Sequence, residues 1–162
     1  MKAAKMRLNV RRELVSVPLP AFTANGTAPF FILAVSEHPV GNGKERFVLK
    51  KLSYGTRTVG VDTDGTMLLN VFKKRGTTAT QLVTSFSVEG LTADDDANVP
   101  FDAGITKADR TLQGGDVLYG SLVNNSAAID TNPAAFAQAL TVELDALDVR
   151  GEGHFDDDGP FS

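Results

Sequence analysis

The chain has 162 residues, no cysteine or tryptophan, a formal charge of −4 and a pI near 5.1. That length suits one domain. The missing cysteine excludes disulfides, thiolate nucleophiles and Cys-ligated metals, and the acidic balance does not favour nucleic acid. No segment approaches the ~18 consecutive apolar residues that a spanning helix needs, and the apolar stretch 28–35 runs into Ser36, Glu37, His38 and Pro39.

The first twelve residues carry Lys2, Lys5, Arg7, Arg11 and Arg12 and no acid. No long apolar run or small-residue cleavage site follows, so no signal peptide is expected. Residues 11–20 hold Leu14, Val15 and Val17 before two prolines, and Asn25-Gly26 reads as a turn. Residues 30–35 form a continuous apolar run of the length of a buried strand. Residues 39–43 read as a loop and 47–54 as a strand ended by Gly55.

Asp64-Gly65 lies between the β-forming runs 59–61 and 67–72, a pattern that predicts a tight hairpin with positive φ at the turn. Residues 73–76, Lys-Lys-Arg-Gly, read as the next turn. Between 81 and 89, Leu82, Thr84, Phe86 and Val88 alternate with Val83, Ser85, Ser87 and Glu89, as in a half-buried strand. An acidic, proline-containing loop over 91–101 follows. Gln113-Gly114-Gly115-Asp116 is a turn into a strand over 117–123. A long polar connection over 124–133 then leads to one short helical turn at 133–138, with Asn132 as its cap and Pro133 first. The last strand is the most regular: Leu140, Val142, Leu144 and Ala146 alternate with Thr141, Glu143, Asp145 and Leu147.

Seven or eight strands with long loops predict an all-β fold, a jelly-roll-like antiparallel β-sandwich. Three parts are expected: a basic arm over 1–12, one sandwich domain over 13–149, and an acidic tail over 150–162 carrying Glu152 and Asp156 to Asp158, with both tails flexible.

Reactive groups are sparse. The two histidines, His38 and His154, fall in a loop and in the acidic tail. There is no Gly-x-Ser-x-Gly elbow, and Gly41-Asn42-Gly43 meets Arg46 where a phosphate-binding loop needs its last glycine. Asp62-Thr63-Asp64-Gly65 begins like a calcium loop, but Asn70 and Val71 stand where a later acid ligand belongs. Asp94-Asp95-Asp96 reads as a solvated loop. No catalytic residue, metal site or cofactor is expected, and the chain reads as a non-enzyme. The basic residues are not interleaved with aromatics, and Phe86 reads as core, so no base-stacking platform is expected.

The run 82–90, Leu-Val-Thr-Ser-Phe-Ser-Val-Glu-Gly, precedes a loop rich in Asp, Asn and Ala. Then come Thr111-Leu112-Gln113-Gly114-Gly115-Asp116-Val117-Leu118-Tyr119-Gly120, a small-residue loop with Pro133, and Ala139-Leu140-Thr141-Val142-Glu143-Leu144. Over residues 45–147 this order resembles capsid decoration (cement or head-stabilising) proteins of tailed bacteriophages. The resemblance implies a structural virion protein on the outer capsid surface. It would be made in the host cytoplasm and would bind the major capsid protein as a homotrimer at three-fold or quasi-three-fold positions, stabilising the shell. It also implies no membrane and no specific nucleic-acid partner. In this sequence the capsid-gripping arm would be supplied by Lys2, Lys5, Arg7, Arg11 and Arg12. Tail-tube or other β-rich virion subunits, and receptor- or carbohydrate-binding sandwiches, are the alternatives.

Overall fold

The computed structural model describes residues 11–36 and 45–146. Among them there is no helix. The strands are β1 (Arg11–Pro18), β2 (Gly26–Ala34), β3 (Glu45–Thr56), β4 (Met67–Arg75), β5 (Thr78–Ser87), β6 (Asp96–Val99), β7 (Thr111–Gln113), β8 (Val117–Asn124) and β9 (Gln138–Ala146). One sheet runs β1-β9-β3-β6, with β7 also on β3, and the other runs β2-β8-β4-β5. Every pairing between strands is antiparallel.

The pairing is nested. The first strand meets the last, β2 meets β8, β4 meets β5, and β3 takes β6 and β7 side by side along one edge. Counting β6 and β7 as one interrupted strand gives eight strands wound as a folded-over hairpin, which is the order of a jelly roll.

Alternation drives the packing. Strand β9 buries Leu140, Val142 and Leu144, and β8 buries Leu118, Gly120 and Leu122, while the residues between them face outward. Facing rows from the two sheets, including Leu49, Leu52, Tyr54, Leu69, Val71 and Leu82, close the core. Phe30 pairs with Gly120 across β2 and β8. A Cβ at Gly120 would stand 2.3 Å from Phe30 Cζ and 2.7 Å from the Asn70 carbonyl oxygen. The glycine is therefore the space into which the Phe30 ring fits, an aromatic covering a bare stretch of strand.

Several local expectations are corrected. No tight hairpin forms at Asp64-Gly65. Gly60 bridges Glu89 and Val61 bridges Thr131, so residues 57–66 cross from one sheet to the other. Gly65 is absent from the positive-φ glycines. Its need is steric, since a Cβ there would lie 2.6 Å from Ser126 Cβ and 2.7 Å from an Asp62 carboxylate oxygen. Residues 73–75 continue β4, and the turn is the two-residue loop Gly76-Thr77, with Gly76 at φ 58°. The alternation over 81–89 breaks at two register shifts: one leaves Leu82 as an extra residue, so Leu82 and Val83 are both buried, and the other falls at Thr84-Ser85, where Thr84 is exposed and Ser85 takes φ 53°. The loop over 91–101 contains β6. No helical turn forms at 133–138: Asn132 spends its side chain on the Phe22 backbone, accepting from its N–H and donating to its carbonyl.

Candidate interaction surface

Three surface features stand out, each created by the strand register. The first is the outer face of the β2-β8-β4-β5 sheet. Phe31 pairs with Tyr119 and Tyr119 with Phe72, so three aromatics lie in one row across three strands. The Tyr119 and Phe72 rings stack with centroids 5.1 Å apart and planes 14° from parallel. Phe31, on the edge strand β2, is 59% exposed. Pro29, Ser121, Val117, Val123 and Leu68 point to the same side. None of the four strands contains an acid, and their three bases all lie near the end of β4. Of these, Lys73 turns inward and donates to the Ala108 and Thr111 carbonyls. Burial lowers the affinity of that amine for its proton, and neighbouring Arg75 adds to the effect.

The second feature is the end of the sandwich where the connections 19–25, 57–66, 88–95 and 125–137 gather. It brings together Asp62, Asp64, Glu89, Asp94, Asp95, Asp96 and Asp130, with Arg57 as the one base in those connections. Asp62 is buried and accepts from the Asn124 amide at 2.5 Å, from the Ser126 hydroxyl and from the Asp64 N–H. Those bonds, Ser126 foremost, hold its carboxyl below the usual carboxylate range. The Asp130 carboxylate accepts from both the Thr63 N–H and hydroxyl at 2.7 Å, which lowers its pKa too. Of the two acids in the calcium-like Asp62-Thr63-Asp64-Gly65 segment, Asp62 thus spends its carboxylate on loop architecture. Among the described residues, no group of three or more His, Asp or Glu is arranged to hold a metal ion.

Phe136 sits at the same end, 78% exposed, at φ 67°. A left-handed backbone is costly for a bulky residue, and such strain gathers at functional positions. Its N–H donates to the Leu19 carbonyl, and the Ala137 N–H donates to Ala134, so the turn is pinned and the ring is held out. Beside it runs a trough of about 440 Å³ lined by Ser16, Gly55, Arg57, Asp96 and Thr141, among others.

The third feature is the charged outer face of the other sheet. Arg12 lies 3.0 Å from Glu143, and Lys50 lies 3.4 Å from Asp145. Of the expected arm residues, Lys2, Lys5 and Arg7 lie outside the described residues. Arg11 opens β1 opposite Ala146, and Arg12 is the next strand residue, already engaged with β9. Of the five, Arg12 is the one whose side chain falls among the described residues. His38, His154 and the Gly41-Asn42-Gly43 segment also lie outside the described residues.

The Gly-Asp turn that carried the family resemblance has a structural task. Asp116 is fully enclosed and accepts from Arg75 Nε at 2.9 Å, Arg75 Nη2 at 2.7 Å and the Gln113 N–H at 2.9 Å. Burial pushes its carboxyl up, but the Arg75 guanidinium and the Gln113 N–H outweigh burial and hold it low. The pair locks the β7–β8 turn onto the end of β4.

No protein-family model and no curated protein matches the sequence. Among solved structures, a chain from the structure of infectious bursal disease virus, Gx strain, aligns over 83% of this chain at 12% identity with a TM-score of 0.39. The alignment covers 38% of that chain, less than half its length. A TM-score at that level does not define a common fold.

Proposed function

We propose that this protein is a non-enzymatic structural subunit of a virion, binding the outer capsid surface and associating with its own copies, as a trimer at three-fold or quasi-three-fold positions. One observation carries the reading: a jelly-roll sandwich sets a row of aromatics on the outer face of one sheet, with Phe31 exposed and Tyr119 and Phe72 half-buried beside it. Contiguous exposed apolar surface on a soluble domain marks a contact site. In this reading Lys2, Lys5, Arg7, Arg11 and Arg12 grip acidic shell surface, with Arg12 exchanging part of its bond to Glu143. Many weak copies on one shell stabilise it collectively, because linked contacts bind with avidity.

The test is co-sedimentation of the full chain with shells assembled from the cognate major capsid protein, alongside light scattering of the free chain. Binding at micromolar concentration and a raised disruption temperature of the decorated shell are expected. Absence of shell binding overturns the reading, and rings or rods in the free protein point to a tail-tube subunit instead. A receptor- or glycan-binding sandwich has one feature in its favour, the Phe136 ring beside a trough lined with acids. Specific glycan hits abolished by Phe136→Ala would move the assignment there.

A further inference from the structure

We infer that the outer face of the β2-β8-β4-β5 sheet, centred on Phe31, Tyr119 and Phe72, is the surface through which one copy of this chain contacts another. The inference rests on the structural reading above, in which copies associate, and adds which face they use.

Charge distribution selects the occupant. The chain as a whole is acidic, at −4. The loop end concentrates acids, and the opposite sheet carries Arg12, Lys50, Glu143 and Asp145 on its outside. Two copies approaching by the loop end meet like charge. The aromatic face has no acid in its four strands. It can therefore lie against the same face, or the same kind of face, of a second copy without burying unpaired carboxylates, a burial that costs several kcal/mol per ion. A basic partner would find no carboxylate on this face to pair with, and an acidic one would find only the cations at the end of β4.

The size of the face sets the strength of the contact. Four strands about 4.8 Å apart, each showing roughly eight residues at about 3.3 Å, give a projected area of about 500 Å². That is the whole face, of which the aromatic row is the apolar part, and it is smaller than the roughly 800 Å² per partner of a standard stable interface. Association through it is accordingly concentration-dependent in free solution, and firmer once the copies are held side by side. Pro29, on the edge strand β2, has no N–H to donate along its edge. This favours face contact over edge-to-edge strand addition.

The experiment compares the full-length wild type with Phe31→Arg and, on the other sheet, Thr141→Arg. Mass is read by light scattering over about a tenfold concentration range, and folding by circular dichroism. Both positions face outward, so both variants are expected to fold. Phe31→Arg should weaken self-association by at least about tenfold, and Thr141→Arg should leave it unchanged. Raising NaCl from about 0.1 to about 0.5 M should maintain or strengthen association, because screening relieves repulsion between acidic chains and leaves apolar contact intact. A folded Phe31→Arg protein that associates like wild type overturns the inference. So does association that salt weakens, which would mean charged end-to-end contact, and so does a wild type that stays monomeric throughout. Shell co-sedimentation separates the two claims. If the masses disagree but wild type still binds shells, only this inference falls; if wild type does not bind shells, the virion reading falls whatever the masses are.

Discussion

Replacing Asp116 by asparagine tests the lock between the β7–β8 turn and β4. Three N–H donors converge on the two carboxylate oxygens, from Arg75 Nε, Arg75 Nη2 and the Gln113 backbone. Asparagine keeps the shape, but it turns an NH₂ toward one of those donors and removes the carboxylate charge that the Arg75 fork grips. Breaking a buried pair from one side costs about 3–5 kcal/mol. Because the Arg75 side chain is 45% exposed and regains water, the lower end applies, about 3 kcal/mol. At roughly 2–4 °C per kcal/mol for a chain of this size, the midpoint should fall by about 6–12 °C. Urea and thermal unfolding followed by circular dichroism measure both quantities. A cycle with Arg75→Met should return a coupling of at least about 1 kcal/mol. The effect is also pH-linked. The Asp116 pKa is depressed in the folded state, so its stabilisation is present above the unfolded carboxylate pKa of about 3.9 and is lost as pH falls through the folded value. The variant should lack that acid-side loss. A ΔΔG within about 0.5 kcal/mol of zero at neutral pH would refute the lock.

Three further outcomes follow from the packing. Gly120→Ala should destabilise by about 2–3 kcal/mol in the same unfolding assays, because its Cβ meets both the Phe30 ring and a backbone oxygen that cannot move aside. Tyr54, which donates to Gln138 Oε1 at 2.5 Å in the core, has its phenol pushed up to about 12 by burial. Stability should then fall by roughly 2 kcal/mol as pH rises from about 10 to about 12, and Tyr54→Phe should remove that slope, as read by unfolding at graded alkaline pH. Phe136→Gly should leave stability unchanged or raise it by up to about 1 kcal/mol, since it relieves the φ of 67° and forfeits little buried surface. A loss above 1 kcal/mol would show that the ring packs rather than projects.

The sequence by itself determined the fold class and much of the core. Period-two alternation in residues 140–146 fixes which side chains go inward, because successive residues of a strand face opposite ways. It also located the turns at Asn25 and at Gly114-Gly115, where glycine or asparagine must adopt a backbone other residues avoid. The nested strand order was not legible. Which strands pair depends on contacts between residues as distant as Arg11 and Ala146, and local pattern carries no record of partner. The same limit hid the candidate surface. Phe30 and Phe31 sit together in one apolar run that reads as buried on both faces, yet only Phe30 enters the core. Phe31 joins Tyr119 and Phe72 only through register across β2, β8 and β4. The turn at Asp64-Gly65 failed as a hairpin for a related reason: hydrogen bonds from Val61 to Thr131 and from Gly90 to Gly60 outcompete local turn chemistry. Local propensity chose the strands, and long-range pairing chose their neighbours and so decided which aromatics stand on the surface.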